Sequence, residues 1–303
     1  MAFILLKQTL TMLILMAVGL GLTRSGMFDE RFTKQLGNFL LTIIVPLITL
    51  RGFLEPPGGA QLSTMLGSLG ISAVVMAVAG LVGFAIFRRT HAMDAFAVTF
   101  SNCGFFGIPL VTALYGDEAM FYLAGLLAVF NALMFTYGQW LLTGDASTMR
   151  PKSIATNPVV IAAVAGCVVF ALHVPVPDML WNALDALADC NTPLAMLILG
   201  SYLAKLSPRD VLSDPSVYLT IAVRLVVVPV ATMLVFKLLG WGLEPLAASI
   251  FVGGCAPVGA NLAILAQQHD MDYEHAIKLV CISTVLSCIT LPLMYQLATM
   301  VIG

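Results

Sequence analysis

Charge is what this sequence has least of. Of its 303 residues only 10% are charged, against roughly 25% in soluble domains. Hydrophobic residues make up 60% and the mean hydropathy is +0.99, which places the chain among integral membrane proteins. The net charge is -2, and no basic or acidic tail is present, so nothing points to nucleic acid. Long polar segments are also missing. The most polar connection is 143–152, which leaves no room for a soluble domain. Six cysteines, at 103, 167, 190, 255, 281 and 288, all fall in apolar runs and form no C-x-x-C pair; they read as small buried hydrophobes. His91, His173, His269 and His275 sit at the edges of apolar runs without metal-ligand spacing. There is no H-E-x-x-H, G-x-S-x-G or G-x-x-x-x-G-K-[ST]. That argues against an enzyme, a bound cofactor or metal, and a nucleotide-driven pump within this chain.

What is present is a series of apolar runs near the 20 residues that a membrane span requires. The pattern predicts ten spans, at 3–22, 36–54, 66–87, 95–115, 118–142, 156–172, 179–204, 215–239, 245–267 and 275–301. The first has only Lys7 before its apolar core and no A-x-A site after it, so it reads as a span and not as a signal peptide. Basic residues set the orientation. With the N-terminus outside, the inner loops hold Arg24, Arg31, Lys34, Arg88, Arg89, Arg150, Lys152, Lys205, Arg209 and Lys278. The outer segments hold Lys7, Arg51 and Lys237. Both termini are expected on the non-cytoplasmic side of a cytoplasmic-type membrane.

Two stretches break the rules for a span. Phe100-Ser-Asn-Cys-Gly-Phe-Phe-Gly-Ile-Pro-Leu110 lies in span four and Phe251-Val-Gly-Gly-Cys-Ala-Pro-Val-Gly-Ala-Asn261 in span nine. Proline removes a backbone donor and glycine is a poor helix former. Backbone freed this way must be buried in protein or line a watery cavity. Such breaks at matching places in two halves point to a transporter's binding site. The candidate residues are Asn102, Cys103, Gly104, Gly107 and Pro109 in span four, with Pro257, Val258, Gly259 and Asn261 in span nine. Half-helix N-termini there would carry partial positive charge and free N–H groups suited to an anion. A single kink of this kind often does no more than shape packing; two at matching positions favour a site.

Val45-Pro-Leu-Ile-Thr-Leu50 of span two resembles Thr192-Pro-Leu-Ala-Met-Leu197 of span seven. Both this pair and the interrupted pair are five spans apart. An odd offset means the second copy is inserted upside down, the inverted-repeat plan of many secondary transporters. Asn38, Thr42 and Pro46, with Asn191, Thr192 and Pro193, are candidates for a pocket wall, or for satisfying backbone freed by proline. Charges within spans are functional candidates by default. Arg224 lies near mid-depth in span eight. Asp185 and Asp189 lie in span seven, one helical turn apart, and Asp189 is expected at a similar depth to Arg224. Arg224 could neutralise a carboxylate or a bound anion, or merely hold loose carbonyls; Asp189 could carry a coupling proton, or sit in a buried ion pair. Asp94, Asp117, Glu118, Asp178, Asp270 and Asp272 lie at span ends and read as interface or helix-start residues.

With these residues in place, the chain resembles the auxin efflux carrier family, which holds plant auxin exporters and bacterial permeases, some described as malonate transporters. The likeness covers nearly the whole chain. It is carried by Asn102-Cys-Gly-Phe-Phe-Gly-Ile-Pro-Leu110, Ala222-Val-Arg-Leu-Val-Val-Val-Pro229, Cys255-Ala-Pro257 and Thr290-Leu-Pro-Leu293. The resemblance implies an all-α membrane protein of two inverted five-helix repeats, 1–143 and 156–303. Spans one, two, six and seven would form a scaffold, often dimeric. Spans three to five and eight to ten would form the moving part, in an elevator-type arrangement with spans four and nine crossing at Pro109 and Pro257. It also implies organic-anion substrates, with Asn102 at the family's substrate-contacting position. The long central loop of the plant members is absent here, and 66–87 holds no carboxylate or lysine, so their coupling does not transfer. The coupling ion is left open. The competing expectations are an ion exchanger or sodium-coupled symporter on a related crossover plan, and an anion-binding receptor.

Overall fold

The computed structural model describes residues 2–54, 62–116, 118–149, 155–172, 174–207 and 214–303. Asp117, Arg150, Lys152, His173 and Arg209 lie outside the described residues. Twelve helices are followed here: α1 Ala2–Arg24, α2 Glu30–Leu54, α3 Leu62–Phe87, α4 Ala92–Thr99, α5 Cys103–Tyr115, α6 Ala119–Thr143, α7 Pro158–Leu172, α8 Asp178–Leu203, α9 Pro215–Leu238, α10 Pro245–Gly254, α11 Asn261–Gln268 and α12 Tyr273–Ile302. Seven of them (α1, α2, α3, α6, α8, α9 and α12) are long and apolar enough to cross a membrane. Of the other expected spans, 156–172 is the shorter apolar helix α7. Expected spans four and nine are each divided, into α4 and α5 and into α10 and α11. No strand is named among the described residues; one isolated bridge, Ser101 to Val258, joins the two divisions.

Local chemistry sets the helix boundaries. Asp29 caps α2, its Oδ1 accepting the Phe32 N–H at 2.7 Å. Asp214 caps α9 and Asp272 caps α12 in the same way, and Pro215 and Pro245 begin α9 and α10, where a missing N–H costs nothing. Gly144 ends α6 in the left-handed region, at φ 77°. Inside the helices, π-helical turns at Leu40–Ile44, Cys103–Gly107 and Val223–Val227 each stand two residues before a proline, Pro46, Pro109 and Pro229. Proline cannot donate to the carbonyl four residues back and its ring crowds that carbonyl, so widening the preceding turn relieves the clash. A fourth such turn, Met134–Gly138 in α6, precedes no proline.

The packing separates lipid-facing from buried helices. α1 and α8 approach so closely that a Cβ on Gly19 would collide with the Leu197 carbonyl oxygen, and one on Gly200 with that of Met16. Small residues permit such close contact in membranes, where packing and not water drives helix association. α3 is tied to α6 by Ser68 Oγ, which donates to the Tyr122 carbonyl at 2.6 Å. Leu10, Ile14, Leu66, Leu81, Val164 and Val168 on α1, α3 and α7 remain exposed, as lipid-facing side chains should. The four half-helices lie deepest. Ala95, Phe96, Ala97 and Val98 of α4, Ala248 and Ile250 of α10, and Leu262 and Ala263 of α11 are fully buried. Interrupted backbone is thereby kept from lipid, as the absence of water there demands.

Candidate functional site

The site starts from backbone. α4 stops at Thr99 and Phe100 turns extended, at φ -102° and ψ 105°. α10 stops at Gly254. The two freed segments pair antiparallel: Asn102 N–H donates to the Pro257 carbonyl at 2.8 Å and Gly259 N–H to the Phe100 carbonyl at 2.9 Å. Two serines complete the pairing. Ser101 Oγ donates to the Gly253 carbonyl at 3.0 Å, and Ser283 Oγ of α12 accepts the Val258 N–H at 3.1 Å. Glycine fits closely at 259, where a Cβ would stand 3.0 Å from the Ser101 carbonyl oxygen. Gly107 lies against Gly253 in the same way, so the two breaks touch through backbone.

Arg224 holds the crossing together. It sits in the π-helical turn of α9 with no exposed surface. Its Nε donates to the Ala256 carbonyl at 3.0 Å, and Nη1 to that of Val98 at 2.8 Å. Nη2 donates to Ala256 at 2.9 Å and also to Gly254. One guanidinium thus satisfies carbonyls at the C-terminal ends of both α4 and α10, which no intrahelical partner can reach.

Beside the crossing lies a tight cleft of about 20 Å³, room for about one water molecule. Asn102, Ser101, Gly104 and Phe105 line it from one side and Asn261 from another; Leu41 and Val45 of α2 and Phe130 and Asn131 of α6 close it. None of its lining residues is charged. Asn102 is 3% exposed, and its Nδ2 has no hydrogen-bond partner among the described residues. Asn261 Nδ2 donates to Met134 Sδ at 3.1 Å, while its Oδ1 has no partner. Two buried amides with unmet hydrogen bonds in one cleft are costly, and a bound ligand would remove that cost.

A second cleft, of about 140 Å³, is lined by other residues of α5. Pro109 and Thr112 of α5 face Arg51 of α2 and Asp189, Asn191 and Thr192 of α8 across it. Arg51 is paired with Asp185 at 2.8 Å and Asp189 at 3.4 Å. Asn191 links the clefts, donating from Nδ2 to the Gly104 carbonyl at 3.0 Å.

The expected site residues therefore divide. Asn102, Gly104 and Asn261 share the first cleft; Cys103, Gly107, Pro257, Val258 and Gly259 build the crossing behind it. The two segments meet at Ser101 and Val258 beside Pro257, while Pro109 faces the second cleft with Asp189 and Thr192. Asn38 and Pro193 are exposed and line neither cleft; each lies on an outward face of its helix. Pro46 is buried within α2 but also lines neither. Asp189 is not a deep partner for Arg224. Its side chain is 72% exposed and meets Arg51. Asn131, Ser101, Ser283 and Arg51 were not singled out from sequence; Asn131 in an otherwise apolar run was the available signal.

Away from the crossing, Asp94 at the start of α4 accepts from Thr220 Oγ1 at 2.7 Å and meets His275 Nε2 at 3.1 Å. Asp214, the cap of α9, lies 3.8 Å from His275 Nδ1. The Ser216 hydroxyl and amide hold the Asp214 carboxyl below the usual range, with lesser help from His275 and Lys278.

With that geometry established, comparison with known proteins gives a family. A model described as "Membrane transport protein" matches residues 4–295. The chain belongs to this family, the auxin efflux carrier-type permeases. It is 27% identical over 239 residues to a Rhizobium meliloti protein named "Putative malonate transporter", covering 75% of this chain and 74% of that one. It is 25% identical over 309 aligned residues to an "Uncharacterized transporter" of Methanothermobacter thermautotrophicus, covering 95% and 96%. A mouse "Lysosomal cholesterol signaling protein" is 25% identical over 303 residues, 90% of this chain but 34% of that protein. The chain is a multi-pass membrane transporter and not an enzyme.

Proposed function

We propose that this permease is a secondary transporter of small organic anions that binds a carboxylate at the crossing of α4/α5 with α10/α11. The observation that carries this reading is the pair of unmet amides, Asn102 Nδ2 and Asn261 Oδ1, in one cleft beside two half-helix N-termini. Those N-termini, of α5 and α11, offer partial positive charge to an anion. The name of the Rhizobium meliloti relative fits a short dicarboxylate such as malonate; an auxin-like aromatic acid or another monocarboxylate is the alternative substrate. In this reading the chain has ten spans in two inverted five-helix repeats. α1, α2, α7 and α8 form a scaffold that pairs two copies in the inner membrane, with both termini non-cytoplasmic. The rest moves as a rigid body and exposes the crossing to each side in turn.

The second cleft favours one competing reading. Asp189, Asn191 Oδ1 and Thr192 offer oxygens together there, which suits a sodium-coupled symporter. Flux in liposomes tests both. Purified protein should carry a labelled carboxylate down its gradient, and Asn102→Ala should remove that flux while the protein remains folded. Flux of carboxylate that requires sodium and collapses in Asp189→Asn would move the assignment to the symporter. Unchanged flux in Asn102→Ala would overturn the placement of the site.

A further inference from the structure

Resting on the anion site just proposed, we infer that it binds its substrate as a singly charged anion that also carries a hydrogen-bond donor, so that a dicarboxylate enters with one proton still attached. Two independent observations lead there. The first is the charge balance of the crossing. Each helix end carries about half an elementary charge, positive at the N-terminus and negative at the C-terminus. Two ends of each sign meet here: the N-termini of α5 and α11, and the C-termini of α4 and α10. Their partial charges cancel in pairs. Arg224 adds one full positive charge and is bonded to the carbonyl ends, which leaves the N-terminal ends facing the cleft unopposed. The cleft lining itself adds no charge. The site therefore balances one negative charge and leaves a second one buried without a partner, which is strongly unfavourable.

The second observation is the pattern of unmet hydrogen bonds. Asn102 presents an unmet donor, suited to a carboxylate oxygen, whereas Asn261 presents an unmet acceptor, Oδ1, with one of its two Nδ2 hydrogens bonded to Met134. An ionised carboxylate has no hydrogen to give that oxygen. A protonated second carboxyl, an amide or a hydroxyl does. Half-protonated malonate meets both demands, as would a monoamide or a hydroxy acid; the fully ionised dicarboxylate meets neither the charge nor the acceptor. No proton changes place in this scheme. It stays on the substrate and crosses with it.

The groups that could mimic such a pH dependence are few. The Cys103 and Cys255 thiols flank Arg224. Asp94 is the acid within the four half-helices, in the first turn of α4 at the end remote from the break. It is engaged by His275, which also faces Asp214. A titration of any of these would alter binding of every ligand alike, whereas a titration of the substrate would not.

The test measures binding of malonate, of its monoamide malonamate and of propionate to purified protein across the second ionisation of malonate. If the singly charged form alone binds, the apparent affinity for malonate falls about tenfold per pH unit above that ionisation, as the competent fraction falls. Malonamate, whose charge is fixed, should show a flat profile. Asn261→Leu should weaken malonamate about tenfold more than it weakens propionate, which has no donor. Malonate affinity that is flat or rises through its second ionisation would overturn the inference, and so would parallel slopes for malonate and malonamate. If none of the three binds at any pH, the anion reading of the site fails, and this inference fails with it.

Discussion

Arg224 concentrates more of the site's architecture than any other side chain. It is completely buried and donates to Val98, Gly254 and Ala256. A buried charge is tolerable when its donors are well used, and here four of the five N–H groups are spent on carbonyls that the helix breaks left open. Arg224→Gln should lower the thermal midpoint in detergent markedly, since each buried carbonyl left unsatisfied costs about 1–3 kcal/mol. Arg224→Lys should recover only part, because an ammonium cannot span the carbonyls as a planar fork does. Equal midpoints for all three proteins would contradict the stapling role. Arg224 was legible from sequence as a lone charge in a span, and Asn102 and Asn261 as amides that flank glycine and proline breaks. The bonding partner of Arg224 was not: a carboxylate, a bound anion and loose carbonyls all suit a buried guanidinium. Asn131 was less visible, because its Nδ2 returns to the Leu127 carbonyl within its own helix at 2.8 Å, as in any satisfied buried asparagine.

At the scale of elements, widened turns stand just before Pro46, Pro109 and Pro229, whereas Pro292 lies in unbroken α-helix; in α5 and α9 those turns lie at the crossing. Glycine then allows the backbones to touch. Gly259→Val should destabilise the protein by about 1–3 kcal/mol through overpacking, because its Cβ meets the Ser101 and Phe100 carbonyls. The same variant should speed hydrogen exchange at the Asn102 amide, which is bonded to Pro257 in the pairing; unchanged exchange there would refute the coupling. Gly200→Leu should separate α1 from α8 and lower the yield of folded protein, without altering affinity in the fraction that folds. The broken spans were readable because Gly, Pro and Asn cluster inside apolar runs. Their pairing at Ser101 and Val258 was not, since the register of two short segments 157 positions apart is set by the packing around them. Pro193 misled for a related reason. It resembles Pro46 in sequence, but it follows the turn at Cys190 in α8 and faces outward.

For the whole molecule, the central proposal is relative movement of a scaffold and a transport part. Val45 of α2 and Phe105 of the crossing line the same cleft from the two sides of that division. In a background with the native cysteines replaced, Val45→Cys with Phe105→Cys should form an oxidant-dependent crosslink that stops flux, and reductant should restore it. Crosslinked protein that transports at the uncrosslinked rate would rule out sliding at this surface. The membrane class was fixed by composition, since a chain with so little charge and such long apolar runs has no soluble alternative. The seven long helices follow from the same runs. Repeat symmetry and orientation rest on weaker signals, a short Pro-Leu likeness and the distribution of basic residues, of which Arg150, Lys152 and Arg209 lie outside the described residues.

The most direct test of an anion site at the crossing is a thermal-shift measurement of purified protein against small carboxylates, made in parallel on Asn102→Ala. A ligand that binds the native state raises its apparent stability, by about 2.7 kcal/mol at a hundred times its Kd. One group of singly charged acids should raise the midpoint, and Asn102→Ala, though folded, should not respond. Stabilisation of Asn102→Ala equal to that of the unmodified protein, or a response to sodium and to no carboxylate, would contradict it.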